Sequence, residues 1–310
     1  MRFLLFFVLF GFVISSCDHV KNPYPTEVNL ELDTNLYPGL WSDYENNEWP
    51  SFTQNTNTIK NVLIEDFTGH KCVFCPAAAE LAHQLHEADP SRVFTASIHA
   101  GPDGIGDFQS VSPPDYPLDF TNAEGVEIGL YFGENDGGFP GNPRGTINRV
   151  KNGDNIFQSP NQWTSMVNDQ LNSTNLKVNI QSNLNYYPET KGAFLHVELD
   201  PIDESVVPKL GVAVYLIEDS LVGDQKMNDN SHNSSYTHRD IHRGNLNQTA
   251  FGRPVSSDDL IGGNYYINYS FSVPNQLDGQ YNAANMHLLI YAFNTETWEI
   301  YQVVKQKINP

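Results

Sequence analysis

Apolar and polar positions fall into two regimes along the chain. Between Asn61 and Leu171 short apolar runs alternate with helical spacings, whereas beyond Asn172 strand-like runs follow one another and no helical period returns. Asn61–Phe67, with Val62, Leu63, Ile64 and Phe67, has the length and composition of a buried strand, and Gly69-His70-Lys71 closes it. Ala77, Ala78, Ala79, Leu81, Ala82 and Leu85 then recur at helical spacing. Because Pro76 is tolerated only in a first turn, the pattern predicts a helix that starts near Cys72 and runs to Ala88. Arg92–His99 reads as a second strand, followed by a long Gly/Pro/Asp-rich loop from Gly101 to Pro117. A helix near Asn122–Tyr131, a Gly-rich turn at Gly137–Pro143, a strand at Gly145–Val150, an Asn152-Gly153 turn and a helix over Asn161–Leu171 complete this half. On that last helix Trp163, Met166, Val167 and Gln170 share a face.

This order of elements predicts a small α/β domain. The second regime, Leu176–Ile180, Ala193–Leu199, Leu210–Ile217, Tyr265–Val273, His287–Phe293 and Glu299–Ile308, predicts an antiparallel β-sandwich. The expected class is therefore α/β plus all-β, with domains over residues 59–174 and 175–310. A length of 310 residues is enough for two such domains.

The first residues follow another logic. Arg2 and an apolar run from Phe3 to Ile14 read as an export signal over residues 1–16; a helix spanning a bilayer needs ~20 apolar residues, more than this run offers. Val13-Ile14-Ser15-Ser16-Cys17 resembles the lipobox of bacterial lipoproteins, in which the cysteine becomes the lipidated first residue. The resemblance implies lipid attachment at Cys17 and a membrane-tethered protein, because stable anchoring takes more than one acyl chain. Residues 17–58, polar with Trp41 and Trp49 interspersed, read as a tether that becomes partly ordered against the body.

Charge and cysteine usage narrow the function. Acidic residues outnumber basic ones 37 to 17, a net charge of −20, so a phosphate backbone is repelled and nucleic acid is not an expected partner. With Cys17 assigned to lipid, only Cys72 and Cys75 remain, and any disulfide is local.

Cys72-Val73-Phe74-Cys75 is where chemistry is expected. Residues three apart on a helix are neighbours, so the two sulfurs can bond with little rearrangement. Free N–H groups at a helix start favour a thiolate, and Lys71 adds positive charge. Cys72, on the more exposed N-terminal edge, is expected to be the nucleophile and Cys75 the shielded resolving thiol.

The run Leu63 to Cys75 resembles the active-site strand and helix start of thioredoxin-like proteins. That resemblance implies a thioredoxin-like domain over residues 59–174. It gives Asp66 the role of a buried acid that handles the proton of the resolving cysteine, a strand-end carboxylate with a structural partner being the alternative. It also implies a cis-proline opposite the cysteines, for which Pro143 just before a strand fits better than Pro140. Val73-Phe74 between the cysteines and Lys71 in place of the usual tryptophan depart from the family. A wider match, including Ser97-Ile98-His99, Gly141-Asn142-Pro143, Ile147-Asn148-Arg149, Tyr215 to Asp219, Gln225 and His238 to Arg243, resembles the outer membrane protein twenty-eight lipoproteins of Gram-negative bacteria. It implies an outer-membrane lipoprotein facing the periplasm or the cell surface.

Two functions compete. One is a lipid-anchored thiol–disulfide oxidoreductase acting on exported proteins through Cys72 and Cys75; the other is a surface binding or adhesion lipoprotein in which the pair is a structural disulfide. Partners are exported or surface proteins and, through Cys17, the membrane. No cofactor or metal is expected, although His70, His83 or His99 could complete a zinc set with the cysteines. His238 and His242 would share a face if helical; the alternative is a polar loop that also holds His232, Arg239, Asp240 and Arg243. No Gly-x-Ser-x-Gly elbow is present. The sequons at Asn172 and Asn233 read as composition.

Overall fold

Residues 31–135, 138–246, 249–273 and 281–308 are described by a computed structural model; the signal segment and Cys17 lie outside the described residues. In chain order the elements are α1 (Trp41–Asn47), β1 (Val62–Phe67), α2 (Cys75–Ala88), β2 (Val93–Ile98), α3 (Ala123–Glu134), β3 (Arg144–Ile147) and α4 (Pro160–Leu171). Strands follow: β4 (Val178–Tyr187), β5 (Gly192–Pro201), β6 (Leu210–Glu218), β7 (Leu221–Lys226), β8 (His232–His238), β9 (Ile241–Asn245) and β10 (Arg253–Pro254). The last are β11 (Leu260–Ile261), β12 (Asn264–Ser272), β13 (Met286–Asn294) and β14 (Ile300–Lys307). The protein is mixed α/β, with several sheets, mostly strands and few helices.

An eight-stranded sheet runs β14-β13-β6-β9-β2-β1-β3, with β10 also paired to β6. β1 and β2 are parallel, as are β2 and β9, through Ser97 and Ile241. Strands from both sides of residue 174 thus share one sheet, although the link between α4 and β4 lies there. On one face Ile128 and Phe132 of α3 belong to a single buried core with Leu63, Phe67 and Ile98 as well as Tyr215, Tyr291 and Phe293. The other face is divided. Helices α2 and α4 cover Val62, Ile64 and Ile147 at one end, and at the other a second sheet, β11-β12-β5-β4, packs on Val212, Val214, Leu288 and Ile290. Helix α2 also covers the start of β2 at Val93, and the separate β7–β8 hairpin brings His238 beside His99 just past the other end of that strand.

Alternation within β1 sets what each face receives. Val62, Ile64 and Asp66 point to α2; Leu63, Glu65 and Phe67 point to α3. Glu65 is met there by Arg149, Thr146 and Tyr215, an ion pair removed from water and closed by hydrogen bonds. Burial alone would raise the Glu65 carboxyl, but the Arg149 charge and these bonds hold it below its ordinary value.

Three segments differ from the sequence expectation. The region of His232 to Arg243 is neither helix nor loop but β8 and β9; its strands are polar, so there was no apolar alternation to detect. Helix α2 begins at Cys75 instead of near Cys72, because Cys72 to Phe74 form a turn in which Cys75 N–H donates to the Cys72 carbonyl at 3.3 Å. Within the tether, α1 seats an aromatic cluster on the outer face of the second sheet: Trp41 stacks on Tyr44 at 4.7 Å, and Tyr44 Oη lies 2.5 Å from His196 Nε2.

Candidate functional site

The end of β1 delivers the cysteines. Thr68 N–H continues the ladder to the Ile98 carbonyl (2.9 Å), and the chain then turns at Gly69, where an added Cβ would lie 2.6 Å from the Phe108 carbonyl oxygen. Glycine is required there because the Gly101–Pro117 loop crosses directly behind it, and Lys71 N–H donates to that Phe108 carbonyl (3.1 Å). Cys72 and Cys75 are joined in a disulfide with their Cα atoms 5.4 Å apart.

Both cysteines are only 1% exposed, so Cys72 does not occupy the more accessible edge expected of it. The cause is the β7–β8 hairpin: Gln225 Nε2 donates to the Cys72 carbonyl (3.3 Å), and Lys226 N–H to the His70 carbonyl (2.8 Å). What this surface does present is apolar: Phe74 of the turn is 63% exposed and Phe108 of the Gly101–Pro117 loop 41%. Lys71 is engaged with Ser110 Oγ at 2.7 Å.

Asp66 lies one pleat beyond Ile64 on the face of β1 that α2 covers, paired in register with Ser97 of β2. It is 1% exposed, neither carboxylate oxygen has a hydrogen-bond partner, and burial pushes its carboxyl up to about 7. The expected structural partner for this carboxylate is therefore not found.

Histidines gather on the hairpin side of the pair. The His99 ring lies 5.8 Å from that of His238 and 6.5 Å from that of His70, and Phe120 packs among them, 4.3 Å from His238. Burial drives His70 and His238 down to about 4, and His99 well below its ordinary value, so all three are neutral at pH 7. No ring nitrogen of His70 or His99 completes a hydrogen bond of normal geometry. Among the described residues no group of three or more His, Cys, Asp or Glu side chains is placed to hold a metal ion. His238 and His242 sit on different strands, and His242 Nε2 is taken by Asn245 Oδ1 (2.8 Å), so the shared helical face expected for them does not exist.

A polar cleft of about 220 Å³ opens beside the pair in the seam that the two covers leave over β2. Its floor is Thr95 and Ser97 of β2 with His99 just beyond that strand, its walls are α2, Gln225 and the β8–β9 connection, and Cys75, but not Cys72, lines it. The sequence points to Gln225 only within a resemblance and to His238 also as a possible partner of His242, and gives no sign of Tyr236 or of this cleft. A polar turn at Asn228-Asp229-Asn230 between Leu221–Lys226 and His232–His238 was the available hairpin signal.

The Asn142–Pro143 peptide bond is cis, as is Pro113–Pro114. Pro143 directly precedes β3, which pairs with the Asp66 end of β1, and Asn142 ties this corner down by donating to the Ala100 carbonyl (2.8 Å).

The family model "Outer membrane protein Omp28" matches residues 134–310, more than half of the chain. The chain belongs to the Omp28 family. Membership places it in the cell envelope. The matched part holds Pro143, the hairpin and most of the large sheet, while Cys72 and Cys75 precede it. HBP35 of Porphyromonas gingivalis shares the fold, with a TM-score of 0.60 at 16% identity over 82% of this Omp28-family chain and 77% of that one. A domain of the outer membrane lipoprotein Omp28 from P. gingivalis is 24% identical over 44% of this chain and 91% of that chain, with a TM-score of 0.31. A protein from Agrobacterium tumefaciens is 12% identical over 83% of this chain and 97% of its own, with a TM-score of 0.44. No curated protein matches.

Proposed function

We propose that this Omp28-family protein is lipid-anchored through Cys17, on the outer membrane, and that its Cys72–Cys75 pair exchanges disulfides with exported proteins from within a thioredoxin-like unit built on β1–β3 and α2–α4. One observation carries the reading: Asp66 is buried beneath the helix that starts at Cys75, with both oxygens unpartnered. An unsatisfied buried polar group costs about 1–3 kcal/mol, more for a charged one. Such a site calls for an explanation beyond stability. A carboxyl poised at about 7 can exchange a proton at neutral pH.

The roles follow from the bond order of exchange. In the reduced protein the Cys72 thiolate attacks a partner disulfide and forms a mixed disulfide; Cys75 then attacks Cys72 Sγ, its proton passing to Asp66, and the partner leaves reduced. Exposed Phe74 and Phe108 offer an apolar shoulder to the partner, and Pro143 edges the same corner. Reaching Cys72 requires the hairpin to release Gln225 and Lys226.

The burial of both sulfurs favours a second reading, in which the disulfide is a permanent staple of a binding lipoprotein. Equilibrating the purified protein in thiol buffers of graded potential and alkylating the freed thiols separates the two. Half-reduction at roughly −270 to −120 mV is expected for exchange; a pair that stays oxidised below about −300 mV is a staple.

A further inference from the structure

The two cysteines differ in what surrounds them. Both are buried, but Cys72 lies under Gln225 and Lys226, whereas Cys75 borders the polar cleft between α2, Gln225 and the β8–β9 connection. We propose that this cleft is the port through which a low-molecular-weight aminothiol reaches Cys75 Sγ and reduces the Cys72–Cys75 disulfide. The inference rests on the exchange reading above and names its reductant.

Size, polarity and charge select the ligand. At about 220 Å³ the cleft is smaller than the ~300–1,000 Å³ of sites for drug-sized ligands, which suits a single thiol amino acid and excludes a folded partner. Its floor contains His99, 3% exposed, neither of whose ring nitrogens completes a hydrogen bond of normal geometry. Buried polar groups are almost always hydrogen-bonded, so the occupant this floor fits is one that donates and accepts. Glu80 on one wall and Arg239 on the other supply opposite charges, matching an ammonium and a carboxylate carried by one small molecule.

The chemistry balances without another reactant. The aminothiolate attacks Cys75 Sγ; the bond between Cys75 and Cys72 breaks, Cys72 leaves as thiolate, and a mixed disulfide joins the small molecule to Cys75. A second aminothiolate attacks the small molecule's sulfur, releasing the symmetrical small disulfide and the Cys75 thiolate. Two thiols are oxidised, one protein disulfide is reduced, and the protons they shed return to the protein thiolates or to solvent. Electrons thus enter at Cys75.

The test uses the full mature chain, oxidised, with free cysteine as the probe. After brief exposure the reaction is acid-quenched and the cysteinylated residue is mapped by peptide mass spectrometry. The adduct is expected on Cys75; an adduct on Cys72 overturns the port. Ala79 lines the cleft from α2, and Ala79→Leu, which narrows it, is expected to slow reduction by cysteine about tenfold with the equilibrium potential unchanged, since access governs rate. An unchanged rate also overturns the port. If dithiothreitol reduces the pair within the exchange range but cysteine marks Cys72, the port alone fails; if neither thiol reduces it, the exchange reading fails and takes the port with it.

Discussion

Arg149 donates from Nε and Nη2 to the two carboxylate oxygens of Glu65, at 2.8 and 2.7 Å, with both side chains fully out of water. Tyr215 and Tyr291, from β6 and β13, complete the cage through their hydroxyls. Arg149→Leu leaves a buried carboxylate without its cation. It is expected to lower unfolding free energy by about 3–5 kcal/mol, read from urea denaturation. Near-UV and far-UV signals should shift together, because this node joins strands of both halves of the chain.

Asp66 makes stability depend on pH in a defined direction. Its folded pKa of about 7 lies above the ordinary value of 3.8, so below pH 4 it is neutral in both states and costs nothing extra. As pH rises from 4 to 7 the unfolded chain ionises first and the native state loses ground; above 7 the loss is constant. Asp66→Asn is therefore expected to match the wild type near pH 4 and to exceed it by on the order of 4 kcal/mol at pH 8. Urea midpoints across that range check it.

His238 acts in the opposite sense. Its pKa of about 4 is below the ordinary 6.5, so it contributes fully above pH 6.5 and loses that contribution as pH falls toward 4, where the unfolded chain takes up a proton that the native one refuses. Packed against Phe120 at 4.3 Å, its ring has an apolar substitute of similar size. Relative to His238→Phe, the wild type should lose on the order of 3 kcal/mol between pH 7 and 4, measured by paired denaturation series.

Gly133 lets α3 lie against the Gly101–Pro117 loop. A Cβ there would stand 2.1 Å from the Pro102 carbonyl oxygen, a backbone atom with little freedom to yield. Gly133→Ala should destabilise by about 1–3 kcal/mol despite its better helix propensity. Thermal unfolding provides the measurement.

Anchoring is tested by fractionation. Cys17→Ala removes the attachment atom and is expected to shift the protein from the membrane pellet to the soluble envelope fraction, with loss of palmitate labelling, since no helix among the described residues is long and apolar enough to cross a membrane. Retention in the pellet would sink the lipid assignment.

Sequence legibility tracked apolar patterning. Val62–Phe67, Val93–Ile98 and Leu210–Glu218 are buried on both faces and announce themselves as continuous runs. His232–His238 does not, because a strand whose side chains are mostly solvated carries no apolar period, and its place over the cysteines depends on long-range hydrogen bonds from Gln225 and Lys226. The cysteine spacing foretold a local bond. It could not foretell burial of Cys72, which is imposed by residues more than a hundred positions downstream. Likewise the sharing of one sheet by both regimes rests on the Ser97–Ile241 pairing, for which a one-dimensional pattern has no signature.

That pairing also bears on how the chain matures. β2 borders β1 on one flank and must wait for β9 on the other, so a nascent polypeptide emerging from the export channel carries an open strand flank until Ile241 has followed. During that interval the half-built sheet is vulnerable to pairing with its neighbours. Periplasmic holding factors should be needed most in that interval, early in biogenesis.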